Sequence, residues 1–111
     1  YLIDMTFGTE LMKLTAIDAA ANAEFGFSVA MDGNLAVVGA RGADGKGAAY
    51  VFDVTTGTQL QKLTALDGAS GDGFGSDVGI SGATVIVVPS IFLQPRATGS
   101  DTVLVYSLPQ R

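Results

Sequence analysis

Apolar residues fall along the chain in short runs separated by turn residues, and those runs set the expected elements. Residues 1–5 (YLIDM) predict a strand, residues 6–8 a tight turn in which Gly8 supplies positive φ, and residues 9–16 (TELMKLTA) a second, more polar strand. Residues 17–24 (IDAAANAE) carry the alanines of a helix former. The stretch 66–73 (LDGASGDG), which occupies the same place later in the chain, holds three glycines, so both are expected as connecting loops. Residues 25–31 predict a strand of small residues, Asp32-Gly33-Asn34 a hairpin turn, and residues 35–40 a strand apolar at nearly every position. Continuous rather than alternating hydrophobicity implies burial on both faces. Residues 41–47 (RGADGKG) predict a loop. Residues 48–54 then predict a strand with Tyr50, Phe52 and Val54 on one face and Val51 and Asp53 on the other. Residues 58–65 predict the most polar strand, suited to an outer edge.

The pattern then recurs at an offset of 49 residues. Residues 1–39 laid on residues 50–88 without a gap share 17 identities in 39 positions, among them Asp4/Asp53, Gly8/Gly57, Asp18/Asp67, Phe25/Phe74 and Val29/Val78. A match of that density is an internal repeat. It predicts strands over 74–80, 84–88 and 102–107, with a loop over 89–101 that is longer than its counterpart and carries the apolar tip Ile91, Phe92 and Leu93. Four antiparallel strands per period of about 50 residues, the outermost being the most polar, describe a propeller blade. The expected fold is therefore all-β, built of β-propeller blades of four antiparallel strands, about two of them in this chain. Residues 1–16 would be the outer hairpin of a preceding blade, 25–65 a complete blade, and 74–107 an incomplete one.

Composition narrows the function classes. The longest uninterrupted aliphatic run is residues 85–88, too short to cross a membrane as a helix. The net charge is −5, and the six Lys and Arg are scattered singly, which excludes the basic stripe that nucleic acid or an anionic membrane surface requires. Absence of Cys and His removes disulfides, thiol nucleophiles, His-based triads and the usual zinc sites. Because the chain opens on Tyr1 inside an expected strand, it is expected to be a processed or partial chain.

Phe25-Gly26, Ser28-Val29-Ala30, the aliphatics ending in Gly39-Ala40, and Gly47-Ala48-Ala49-Tyr50-Val51-Phe52-Asp53 together resemble the FG-GAP repeat of integrin-α-like β-propellers and their bacterial relatives. The resemblance covers nearly the whole chain and occurs twice. It implies a ring of about seven blades in a complete member, an extracellular or cell-surface location, and a role in adhesion or protein recognition. In the second copy Gly39-Ala40 is replaced by Val88-Pro89. Tyr50 to Asp53 with Thr56-Gly57 also resembles the blades of quinoprotein dehydrogenases, but the Trp that locks those blades is missing here.

Candidate sites are few. Many FG-GAP blades carry a calcium loop between their first two strands. The matching turns here, Asp32-Gly33-Asn34 and Ser81-Gly82-Ala83, hold too few oxygen ligands for six to eight contacts. The remaining calcium candidates are Asp67, Asp72 and Asp77. The first copy places Ala23 and Ser28 where Asp72 and Asp77 stand, which favours plain turn chemistry, so no metal or other cofactor is expected. The recurring Asp4/Asp53 and Asp18/Asp67 are expected to accept structural hydrogen bonds, and no catalytic residue is expected. Phe25 and Phe74 are expected to anchor blade-to-blade packing, with Gly26 and Gly75 allowing close backbone approach. Ile91, Phe92 and Leu93 are the candidate interaction residues.

The function expected from these readings is a non-enzymatic structural or recognition module. Copies of the chain or further blades would complete it, the former by adding residues 9–16 of one copy to the open edge of another, and a protein or glycan would be its ligand. The competing expectation is a fragment of a propeller enzyme or carbohydrate-binding protein whose active residues lie outside this chain.

Overall fold

A computed structural model of the chain describes residues 2–4, 8–18, 20, 22–65, 73–89 and 104–107. Among the described residues nine strands appear in chain order: β1 (Leu2–Asp4), β2 (Thr9–Met12), β3 (Phe25–Asp32), β4 (Leu35–Ala40), β5 (Ala48–Asp53), β6 (Thr58–Leu63), β7 (Asp77–Ser81), β8 (Thr84–Val88) and β9 (Leu104–Ser107). They form a two-stranded ribbon β1-β2, a four-stranded sheet β3-β4-β5-β6 and a three-stranded sheet β7-β8-β9. Every pairing is antiparallel between chain neighbours. The all-β, blade-type fold expected from the sequence is the fold observed.

The registers repeat as the sequence does. Leu2 pairs with Met12, Ile3 with Glu10 and Asp4 with Thr9, while Val51 pairs with Gln61, Phe52 with Gln59 and Asp53 with Thr58. The two hairpins thus share one register at an offset of 49, including an irregularity at the same step. Likewise Ser28 pairs with Gly39 and Asp77 with Val88, so the structure and the ungapped sequence give the same equivalences.

Alternation along β4 and β5 divides the core in two. Val38, Ala40, Ala48, Tyr50 and Phe52 pack on one side of the central sheet, together with Ala16 and Ala23 from the segment before it. Val37, Ala49, Val51 and Leu63 pack on the other side against Phe74, Val85 and Val87 of the following unit. Both faces of β4 and β5 are therefore covered, which is why their sequences are apolar throughout.

The structure departs from the sequence pattern most clearly in three places. The strand expected from residue 74 begins at Asp77, because Phe74 leaves the sheet to form a parallel bridge with Gly47. The second strand ends at Met12, and the next residues turn inward, so that Leu14 and Ala16 join the first core cluster. The loop 41–47 contains a single 3-10 turn, Ala43–Gly45, in which Asp44 takes a left-handed conformation at φ 54°.

Candidate interaction surfaces

The seam between the central sheet and the β7-β8-β9 sheet rests on backbone contact that only small residues permit. Phe74 N–H donates to the Lys46 carbonyl at 3.0 Å, and Ser28 Oγ donates to the Gly75 carbonyl at 2.8 Å. A Cβ on Gly39 would lie 2.1 Å from the Gly75 oxygen, and one on Gly47 would lie 2.0 Å from the Phe74 oxygen. Both neighbours are main chain and cannot swing aside, so these two positions exclude every residue but glycine. Gly75 has the same role from the other side, since its Cβ would lie 2.3 Å from the Ala48 oxygen. At the opposite end of the seam, the Asp32 carboxylate accepts from Gly82 N–H at 2.7 Å, tying the two hairpin turns together. Phe74, 2% exposed, belongs to the apolar cluster that fills the seam.

Phe74 and Gly75 thus do what the sequence led us to expect, whereas their first-copy equivalents differ. Phe25 is half-buried and packs edge-on against Tyr50 and Phe52, with ring centroids 5.5 and 5.9 Å away. Nothing lies within 4 Å of the position a Gly26 Cβ would take, so its glycine is required by a φ of 94° and not by close approach. The reason is that the described residues before β3 hold only the two-stranded β1-β2 sheet, the counterpart of β5-β6, and no counterpart of β3-β4. Residues Phe27, Val29 and Met31 are accordingly exposed, Val29 at 68% and Met31 at 58%. Beside them a cleft of about 510 Å³ is lined by Leu14, Phe25, Val29, Met31, Ala36 and Val38.

The loop end of the central sheet carries most of the described charge pairs. Tyr50 donates its hydroxyl hydrogen to Asp18 at 2.9 Å, and Lys62 Nζ donates to both Asp18 and Asp44, the latter at 2.7 Å. The hydrogen bond from Lys62, reinforced by that from Tyr50, holds the Asp18 carboxyl below the usual carboxylate range. The two carboxylates raise Lys62 above an ordinary lysine, and burial, followed by the bond to Asp18, raises the Tyr50 phenol. This cluster pins the segment before β3 to β5 and β6. Asp18 serves as a structural acceptor, as expected, but its donors are side chains. Asp53 accepts from the backbone N–H and the hydroxyl of Thr55 and closes the β5–β6 turn. Nearby, Arg41 pairs with Glu24 at 3.1 Å and stacks 3.9 Å above the ring of Phe27. Glu24 holds φ at 57°, the other non-glycine residue with positive φ among the described ones.

Of the candidate site residues, Asp77 begins β7, is exposed and accepts from the Val78 N–H at 3.0 Å. Asp67, Asp72, Ile91, Phe92 and Leu93 lie outside the described residues. Among the described residues no three acidic groups come together in a metal-binding arrangement, and no helix is long and apolar enough to cross a membrane. The Lys62 cluster and the Arg41–Phe27 stack were not anticipated. The recurrence of Lys13/Lys62 beside Asp18/Asp67 was the sequence signal for the first, and nothing in the pattern pointed to the second.

Stacked antiparallel sheets joined by a glycine-lined seam place the molecule among β-propeller-type repeat proteins. The FG-GAP repeat family model matches residues 9–52 and 58–105, and the chain belongs to that family. Each matched repeat begins on the outer strand of one sheet and continues into the next, so β6 closes the central sheet from within the second repeat. The crystal structure of the computationally designed Ika4 protein is similar to 91% of the chain, with a TM-score of 0.57 and 22% sequence identity, a likeness of fold alone. The chain spans about half, 49%, of that protein's length. No curated protein sequence matches the chain.

Proposed function

We propose that the chain is a non-enzymatic structural and recognition module, completed by further FG-GAP-type blades seated on the outer face of β3 and acting in extracellular or cell-surface protein recognition. One observation carries the reading. Val78 and Ile80 pack against the core cluster of the seam, whereas Val29 and Met31, their equivalents one repeat earlier, stand open. A repeat whose apolar face is covered in one unit and bare in the other calls for the same kind of cover. The described charged groups favour a non-catalytic role, since Asp18, Asp44 and Lys62 are spent on each other in holding loops. The membership in the FG-GAP family and its general use outside the cell support the location.

The test is to extend the chain with one more repeat unit before Tyr1 and to compare denaturant unfolding. Nearest-neighbour stacking predicts a higher midpoint and a larger m-value for the extended chain. An added repeat that folds without raising the midpoint would contradict the reading and mark the β3 face as a ligand surface.

A further inference from the structure

The seam inside the chain shows what a blade must present to receive the next one. On the receiving side, Gly39 leaves room for the Gly75 carbonyl, and the Ser28 hydroxyl donates a hydrogen bond to that same oxygen. One repeat later, in the same register, Val88 replaces Gly39 and Asp77 replaces Ser28. A valine there puts its Cβ where the built position at Gly39 lies 2.1 Å from an incoming main-chain oxygen. An Asp carboxylate has no hydrogen to donate to such a carbonyl, and its charge beside the carbonyl oxygen is unfavourable. Steric and electrostatic terms therefore oppose docking at the same point. The far face of β8 remains partly apolar, with Ile86 42% exposed, so the obstacle lies in the glycine contact and not in the absence of an apolar face.

We infer that the chain accepts blades in one direction only: the face of β3 receives a glycine-bearing sheet of the FG-GAP type, and the β7-β8-β9 sheet refuses one in the geometry used inside the chain. The inference deepens the module reading and rests on it. A copy of the chain can offer only its β7-β8-β9 sheet to the β3 face of another, because its central sheet is already occupied. Head-to-tail assembly of identical chains is thereby blocked, and the cover of the β3 face comes from a blade that keeps the glycine.

Two variants test this. In Asp77→Ser with Val88→Gly, the receiving side is restored, and light scattering should show mass rising with concentration. Adding Met31→Asp to that double variant should return it to the monomer. In the reverse variant, Ser28→Asp with Gly39→Val, the β7-β8-β9 sheet should lose amide-exchange protection over residues 84–88, while residues 35–40 and 48–53 keep theirs. Three results would overturn the inference: a folded D77S/V88G chain that stays monomeric, full protection of residues 84–88 in the reverse variant, or association of the unaltered chain that both Met31→Asp and Ile86→Asp abolish. In the last case the module reading would stand and only the one-way rule would fall, whereas the extension experiment fails without reference to Val88.

Discussion

Val78 and Val29 occupy the same place in two copies of one pattern, and they meet different surroundings. Val78 packs with Ile80 and Val87 against Val37 and Val51 of the sheet before it, whereas Val29 is 68% exposed. The local sequence is if anything more apolar around Val29, where Phe27 and Ala30 stand in place of Ser76 and Gly79. What differs is whether a neighbouring sheet presents β4 and β5 to it, so burial in this protein belongs to the junction between units and not to the unit. That is the behaviour of a repeat protein, whose stability is a sum of units and interfaces.

The largest effect should come from the anchoring rings. Phe74→Ala removes a buried ring from the seam cluster and should cost about 3–5 kcal/mol in denaturant unfolding. Phe25→Ala removes a ring that is only half-buried and should cost about half as much; equal losses would show that the two junction sides are not as unlike as described. Next, Val78→Asp should destabilise by about 2 kcal/mol, against a change within about 0.5 kcal/mol for Val29→Asp. Ser28→Ala deletes the hydrogen bond to Gly75 and should cost about 1 kcal/mol.

The smallest expected effect concerns the loop cluster, which only the first unit is built to hold. The register that pairs Tyr50 with Val38 pairs Leu104 with Val87, so the second unit has no phenol at the equivalent place. Tyr50 and Lys62 are both raised in the folded chain above ordinary values of about 10 to 10.5. Their contribution is therefore complete below pH 10 and is lost as pH climbs through the raised values. Asp18 is lowered, so its contribution holds above about pH 3.8 and fades as pH falls through the depressed value. Lys62→Met should flatten the alkaline limb of a stability–pH profile, and an unchanged limb would remove the cluster from the account.

Most of the strand plan was legible because burial on two faces writes an unbroken apolar run, as in β4 and β5, and because repetition exposed what one copy alone concealed. The alanines of residues 17–24 would have suggested a helix without the glycines of 66–73 beside them. The places where the pattern misled are those where a contact between units decides. Phe74 and Gly75 were read as strand, yet the Lys46 carbonyl and Gly47 draw them into the seam. Gly26 and Gly75 looked alike and share a positive φ, 94° and 97°, but only Gly75 also meets a close main-chain approach. Gly39 and Gly47 do the most to admit the next sheet, and their role could not be read from either copy alone, since it depends on where another unit's carbonyls fall. The Arg41–Phe27 stack likewise joins residues with no periodic relation.

The contrast between Val29 and Val78 can be measured directly, because the chain has no cysteine. Single Val29→Cys and Val78→Cys variants should be compared by thiol-labelling rate under native conditions, each with and without an added repeat before Tyr1. The predicted result is fast labelling at position 29, slow labelling at position 78, and position 29 slowing toward position 78 once the extra repeat is present. Equal rates in the unextended chain, or a rate at position 29 that the added repeat leaves unchanged, would contradict it.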